Sequence, residues 1–89
     1  MTRICFTSFL GERIGGIHSV EVDAADVYSA LQTLTQRYPE LARILWLADG
    51  QFNPAIAVFL DDRQLKADEL RTPVKPGEQI DVIPAISGG

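Results

Sequence analysis

Eighty-nine residues with 12 acidic and 8 basic side chains carry a formal net charge of −4, with one cysteine and one histidine. A chain of this size buries little more than half of the surface exposed by its unfolded form, so it supports one core and not two. The acidic surplus, with basic residues scattered from Arg3 to Lys75, argues against a nucleic-acid partner, and no run nears the roughly twenty apolar residues that span a bilayer. A cytoplasmic location is expected, and the acidic surface suits docking onto a basic protein. The lone Cys5 has no internal disulfide partner and reads as a small, half-buried thiol.

Arg3 to Leu10 reads as a strand, with Ile4 and Phe6 on one face and Arg3, Cys5 and Thr7 on the other. Gly15-Gly16 makes a turn, and His18 to Val22 returns as a second strand with Val20 and Val22 inward, which completes a hairpin. Asp26 is the expected helix N-cap, with Asp23 competing, and Val27, Ala30, Leu31, Leu34 and Tyr38 form one apolar helical stripe. Pro39 ends that helix at Tyr38, while Leu41, Ile44 and Leu45 suggest another short helical turn or two before Asp49-Gly50. Trp46 and Phe52 flank the loop and are expected to close one end of the core.

Pro54 opens the next strand, in which Ile56, Val58 and Leu60 alternate with Ala55, Ala57 and Phe59. Asp61-Asp62 then turns the chain into a short strand at Arg63 to Leu65. Pro76-Gly77 launches a final strand with Ile80 and Val82 inward and Ile83 outward. Strand, strand, helix, strand, short strand, strand is an α+β order: a mixed sheet of four to five strands with one main helix on one face.

Side chains able to do chemistry are few. One histidine and one cysteine supply no catalytic triad, and no serine sits in a nucleophile elbow. His18 stands far from most candidate metal ligands, and Gly11-Glu12-Arg13-Ile14-Gly15-Gly16 lacks the Lys-Ser/Thr of a phosphate loop. The acidic pairs Asp61-Asp62 and Asp68-Glu69 fall in polar turns and read as solvated surface. What remains is Ala85-Ile86-Ser87-Gly88-Gly89, whose two glycines have no Cβ and let an extended backbone enter a narrow channel.

Gln79 to Gly89 joins a strand, a proline and a small-residue tail ending in Gly-Gly. With the Val-x-x-x-Leu-x-x-Leu helix ending in Arg37-Tyr38-Pro39 and the strand-turn-strand around Asp61-Asp62, it resembles the MoaD/ThiS family of ubiquitin-like sulfur carriers. Many members carry Asn-Gly where this chain has Asp61-Asp62. The resemblance implies a β-grasp domain over 1–84, its last strand central beside the first, and a flexible tail over 85–89. It also implies a non-catalytic carrier without a permanently bound cofactor or metal. An E1-like adenylating enzyme would use ATP to activate Gly89, and a persulfide donor would convert it to a thiocarboxylate. Ser87 and Gly88 would thread the partner's channel, and Phe59, Ile83 and Ile86 would form the partner interface. The expected sulfur acceptor is a molybdopterin synthase large subunit. Cysteine, thiamine or specialised-metabolite synthesis, and a role as a ubiquitin-like protein modifier, stand as alternatives.

Overall fold

The computed structural model describes residues 1–84. Five strands, β1 (Thr2–Phe6), β2 (Ser19–Val22), β3 (Ile56–Leu60), β4 (Arg63–Leu65) and β5 (Gln79–Pro84), form one sheet in the order β2-β1-β5-β3-β4. The last strand is therefore central. It runs parallel to β1, with Ile4 opposite Ile80 and Phe6 opposite Val82, and antiparallel to β3, with Val58 opposite Val82 and Leu60 opposite Ile80. β2 pairs antiparallel with β1, and β4 with β3. This mixed sheet and its helices are the expected β-grasp arrangement.

Period-two alternation sets the two faces. Ile4, Phe6, Val20, Val22, Ile56, Val58, Leu60, Ile80 and Val82 are all buried on the inner face. Against them lies α2 (Val27–Arg37), whose stripe Val27, Ala30, Leu31 and Leu34 is fully buried, with Tyr38 partly so. Asp26 is the N-cap: its Oδ1 accepts from the Ser29 backbone N–H at 2.7 Å. Pro39 starts α3 (Pro39–Leu45), whose seven residues make the expected turn or two, with Leu41 and Leu45 one turn apart and both in the core. Trp46 and Phe52 close this end as expected: Trp46 stacks edge-on against Tyr28 at 5.5 Å and Phe52 at 5.3 Å, and its Nε1 donates to Thr35 Oγ1.

Two local expectations change. The first strand stops at Phe6 instead of reaching Leu10, and the chain turns into α1 (Ser8–Gly11) and a 3₁₀ turn over Glu12–Ile14 before Gly15 and Gly16 take left-handed φ of 85° and 86°. The hairpin exists, but its connection is helical. Leu10 and Ile14, four apart, bury together over the end of the sheet, and this tertiary gain overrides the strand preference of Thr7 to Phe9. Second, β3 begins at Ile56, two residues after Pro54. Pro84, opposite Ile56, is the last residue of β5.

At Asp61-Asp62 only Asp61 takes a positive φ, of 51°, so the turn is not the two-residue left-handed kind that Asn-Gly favours. Asp61 is held there by β5: its N–H donates to the Gln79 carbonyl at 2.8 Å and its Oδ1 accepts from the Gln79 N–H at 2.9 Å. Asp61 and Asp62 are exposed as expected, and Glu69 is half-buried, capping the Lys66 N–H at 2.8 Å.

Two outcomes test these local assignments. A Cβ on Gly11 would overlap the Ile17 carbonyl oxygen. Gly11→Ala should therefore lower stability by about 1–2 kcal/mol in urea unfolding, although alanine is the better helix former by about 1 kcal/mol elsewhere. The second concerns pH. The Ser29 N–H, foremost, and the Arg71 guanidinium 3.6 Å away hold the Asp26 carboxyl below the usual carboxylate range. A depressed folded value means that this stability is present above the unfolded value near pH 4 and is lost as pH falls through the folded one. Asp26→Asn keeps the cap but should flatten that part of the stability profile between about pH 5 and 3.

Candidate functional site

The site is assembled from the half of each strand that the core does not use. Arg3 and Cys5 of β1, Ala57 and Phe59 of β3, and Gln79, Asp81 and Ile83 of β5 share the outer face by alternation. The helices cover the inner face, and no described element covers this one. Ile83 is 38% exposed, at the end of β5 from which the chain continues into 85–89. Phe59 is half-buried. The register places Ile83 opposite Ala57 and Phe59 opposite Asp81, so Phe59 and Ile83 are diagonal neighbours across two strands. Both outward assignments therefore hold, and the two residues share one face as diagonal positions. Ile86, Ser87, Gly88 and Gly89, the remaining expected site residues, lie outside the described residues.

Asp81 is the residue that sequence reasoning overlooked. It stands between Cys5 on β1 and Phe59 on β3, and Gln79 Nε2 donates to its Oδ1 at 3.0 Å. The same alternation that put Ile83 outward could have found it. Burial foremost, then the Asp81 charge, raise the Cys5 thiol above its ordinary range, with Arg3 opposing, so Cys5 stays protonated at neutral pH. That agrees with its expected role as an unreactive half-buried thiol. Arg3 meets Glu21 at 3.7 Å at the edge of this face.

Among the described residues no group of three or more His, Cys, Asp or Glu is placed to hold a metal ion, and His18 is exposed. No described helix is long and apolar enough to cross a membrane. A depression of about 210 Å³ beside Phe52, Ile56, Leu65 and Leu70 lies at the β3–β4 edge and reaches Ala57, the residue opposite Ile83.

The central last strand, the helix-covered inner face and the open outer face define a ubiquitin-like protein. The ThiS family model matches residues 10–89, and the chain belongs to that family, the MoaD/ThiS class of ubiquitin-like sulfur carriers. A candidate sulfur carrier protein of Archaeoglobus fulgidus is 33% identical over 42 residues, a match spanning 46% of this chain and about half, 48%, of that relative. Small archaeal modifier protein 1 of Haloferax volcanii, 25% identical, superposes with a TM-score of 0.85 over 99% of this chain and 98% of its own. The BexX/CysO complex of Amycolatopsis orientalis contains a chain that is 23% identical, with a TM-score of 0.85 and full coverage of both chains. In the complex of subunits 1 and 2 of the molybdopterin-converting factor of Helicobacter pylori, the matching chain is 23% identical with a TM-score of 0.64, over 99% of this chain and 97% of that one. At 23% these last two likenesses concern the fold.

The register also decides which substitution tests the outer face. An acid at position 59 would stand directly opposite Asp81 and destabilise by like-charge repulsion. Phe59→Gln avoids this. It should weaken binding to a partner that docks on this face by about 2 kcal/mol, as expected of an aromatic anchor, while lowering the melting temperature only slightly, because Phe59 lies outside the core. Calorimetric titration beside a thermal melt separates the two effects.

Proposed function

We propose that this chain is a sulfur carrier whose working group is the Gly89 carboxylate. The observation that carries the reading is the placement of β5: a strand paired on both sides passes directly into a tail through which the family match runs to its last residue. A carboxylate is a poor electrophile until its oxygen becomes a good leaving group. In the proposed cycle an E1-like adenylating enzyme brings ATP, and the Gly89 carboxylate attacks the α-phosphorus, releasing pyrophosphate and forming an acyl-adenylate. A persulfide sulfur then displaces AMP to give an acyl disulfide, and a second thiol attacks the donor sulfur of its S–S bond, leaving a thiocarboxylate on Gly89 and a disulfide between donor and thiol. The carrier supplies position and the partners supply catalysis. Ser87 and Gly88 thread the narrow channel, and Phe59, Ile83 and Ile86 are the proposed contacts beside it.

The proposed acceptor is a biosynthetic synthase that receives the tail. A molybdopterin synthase large subunit is our first candidate, supported by likeness to the Helicobacter pylori complex, and a BexX-like enzyme is the second, supported by the closer superposition on the Amycolatopsis orientalis complex. Protein modification is the rival use of the same activated carboxylate, with a lysine amine in place of sulfur, and the 25% identity to a small archaeal modifier protein favours keeping it.

Mass spectrometry of the chain incubated with its adenylating enzyme, ATP and a persulfide donor tests the carrier reading. Exchange of one carboxylate oxygen for sulfur at Gly89 is the expected result, whereas an isopeptide bond to other proteins without any thiocarboxylate would favour the modifier. Gly88→Val should fold with an unchanged melting temperature, since the described core is complete without it, yet lose processing, because a branched side chain obstructs the channel. Turnover of that variant at the native rate would overturn the threading role.

A further inference from the structure

Where Trp46 and Phe52 close the core, their rings and that of Tyr28 also line a cavity of about 350 Å³, together with Leu70, Arg71 and Asp68. Tyr28 is set one residue off the buried stripe of α2, so its ring stays half-buried at the surface instead of entering the core. Trp46 and Phe52 face each other across a short antiparallel bridge. The loop between them is fixed by the bond from the Leu47 N–H to the Gln51 carbonyl at 2.7 Å and by Gly50 at a φ of 87°. The planes of Tyr28 and Trp46 meet at 70° and those of Trp46 and Phe52 at 87°, so the aromatic walls stand at steep angles to one another. One wall already holds a cation: the Arg71 guanidinium carbon sits 4.0 Å from the centre of the Tyr28 ring, with the Asp26 carboxylate 3.6 Å from the same group.

We propose that this cavity binds a small molecule bearing a quaternary ammonium group, and that Arg71 is its resident placeholder. The faces of the rings carry partial negative charge, Asp68 lies on the rim, and the net charge of −4 favours a cation over an anion. Hydrogen-bonding capacity decides which cation. The Trp46 indole N–H already donates to Thr35 Oγ1, and the Tyr28 hydroxyl accepts from Gln32 Nε2 at 3.0 Å, so the aromatic walls leave few acceptors for a cation that brings donors. A primary ammonium or a guanidinium that entered fully would lose water without replacing it, and Arg71 escapes that cost by keeping 71% of its side chain exposed. A quaternary ammonium has no N–H to satisfy, and its methyl groups suit the apolar lining. Arg71 yields the Tyr28 face to such a ligand and keeps Asp26 and water as partners. Phe59, Asp81 and Ile83 do not line the cavity, so its occupancy leaves the outer face open to a protein partner.

Choline titrated into the full chain at constant ionic strength tests the site, with the indole N–H of Trp46, the single tryptophan, as the NMR reporter. A saturable shift at millimolar choline is expected. Ethanolamine, a primary ammonium, and the uncharged isostere of choline, in which a tert-butyl group replaces the trimethylammonium, should each bind about ten-fold more weakly. Arg71→Gln vacates the Tyr28 face and should tighten choline about three-fold, whereas Asp68→Asn, at an exposed position, should weaken it by about the same factor. A thermal melt of each variant checks that the fold is kept. Equal affinity for choline and either analogue would overturn the quaternary ammonium assignment, and the absence of a saturable shift in both the native chain and Arg71→Gln would overturn the site itself. Choline binding that is unchanged or weaker in a folded Arg71→Gln would overturn the placeholder role.

Discussion

Everything in this molecule depends on the double pairing of β5. The last strand in sequence is the middle strand in space, bonded to β1 on one side and β3 on the other, with Ile80 and Val82 fully buried beneath it. To shift its register by one residue would expose both side chains and break two ladders at once. The exit point at Pro84 is accordingly fixed relative to every other part of the outer face. Pairing β1 with β5 also joins the two ends of the chain, a contact of high sequence separation that is costly to close early in folding. The end of β5 at Pro84 thus becomes a fixed point only once the whole sheet is assembled.

Most of the frame was legible because local and tertiary preferences agree. The α2 stripe, its Asp26 cap, the stop at Pro39 and the alternation of β3 and β5 each follow from residue spacing, and burial in the folded chain follows the same spacing. The connection after β1 was not legible. Thr7, Ser8 and Phe9 favour a strand when read in a row, and the signal that decides otherwise is non-local: Leu10 and Ile14 find the end of the core, and Gly11 lets the Ile17 carbonyl approach. Sequence spacing gives faces but not depth. Phe59 was correctly placed on the outer face, yet its half-burial and its position opposite Asp81 depend on strand order, which rested on the family resemblance and not on periodicity.

The two faces of the sheet differ in what they must satisfy. Helices α2 and α3 satisfy the inner face with Leu31, Leu34, Leu41 and Leu45, so the outer face can tolerate side chains that no core would accept. A half-buried carboxylate at Asp81 is one of them, stabilised in the free chain by Gln79 Nε2 and by access to water.

That carboxylate changes what the outer face can bind. A wholly apolar surface laid over Phe59 and Ile83 would also strip water from Asp81, leaving a charge with one side-chain donor where a buried carboxylate needs several, at a cost of several kcal/mol. A partner that places a guanidinium, an ammonium or backbone N–H groups over Asp81 avoids this cost and gains the apolar contact as well. For any partner of this face the acid would act on selectivity more than on affinity. It also discourages two copies of the chain from burying their outer faces against each other, since such a pairing would bring like charges together in the centre of the interface. The half-buried Phe59 and the exposed Ile83 on one diagonal would otherwise invite that association, and Asp81 counters it without removing either side chain from the outer face.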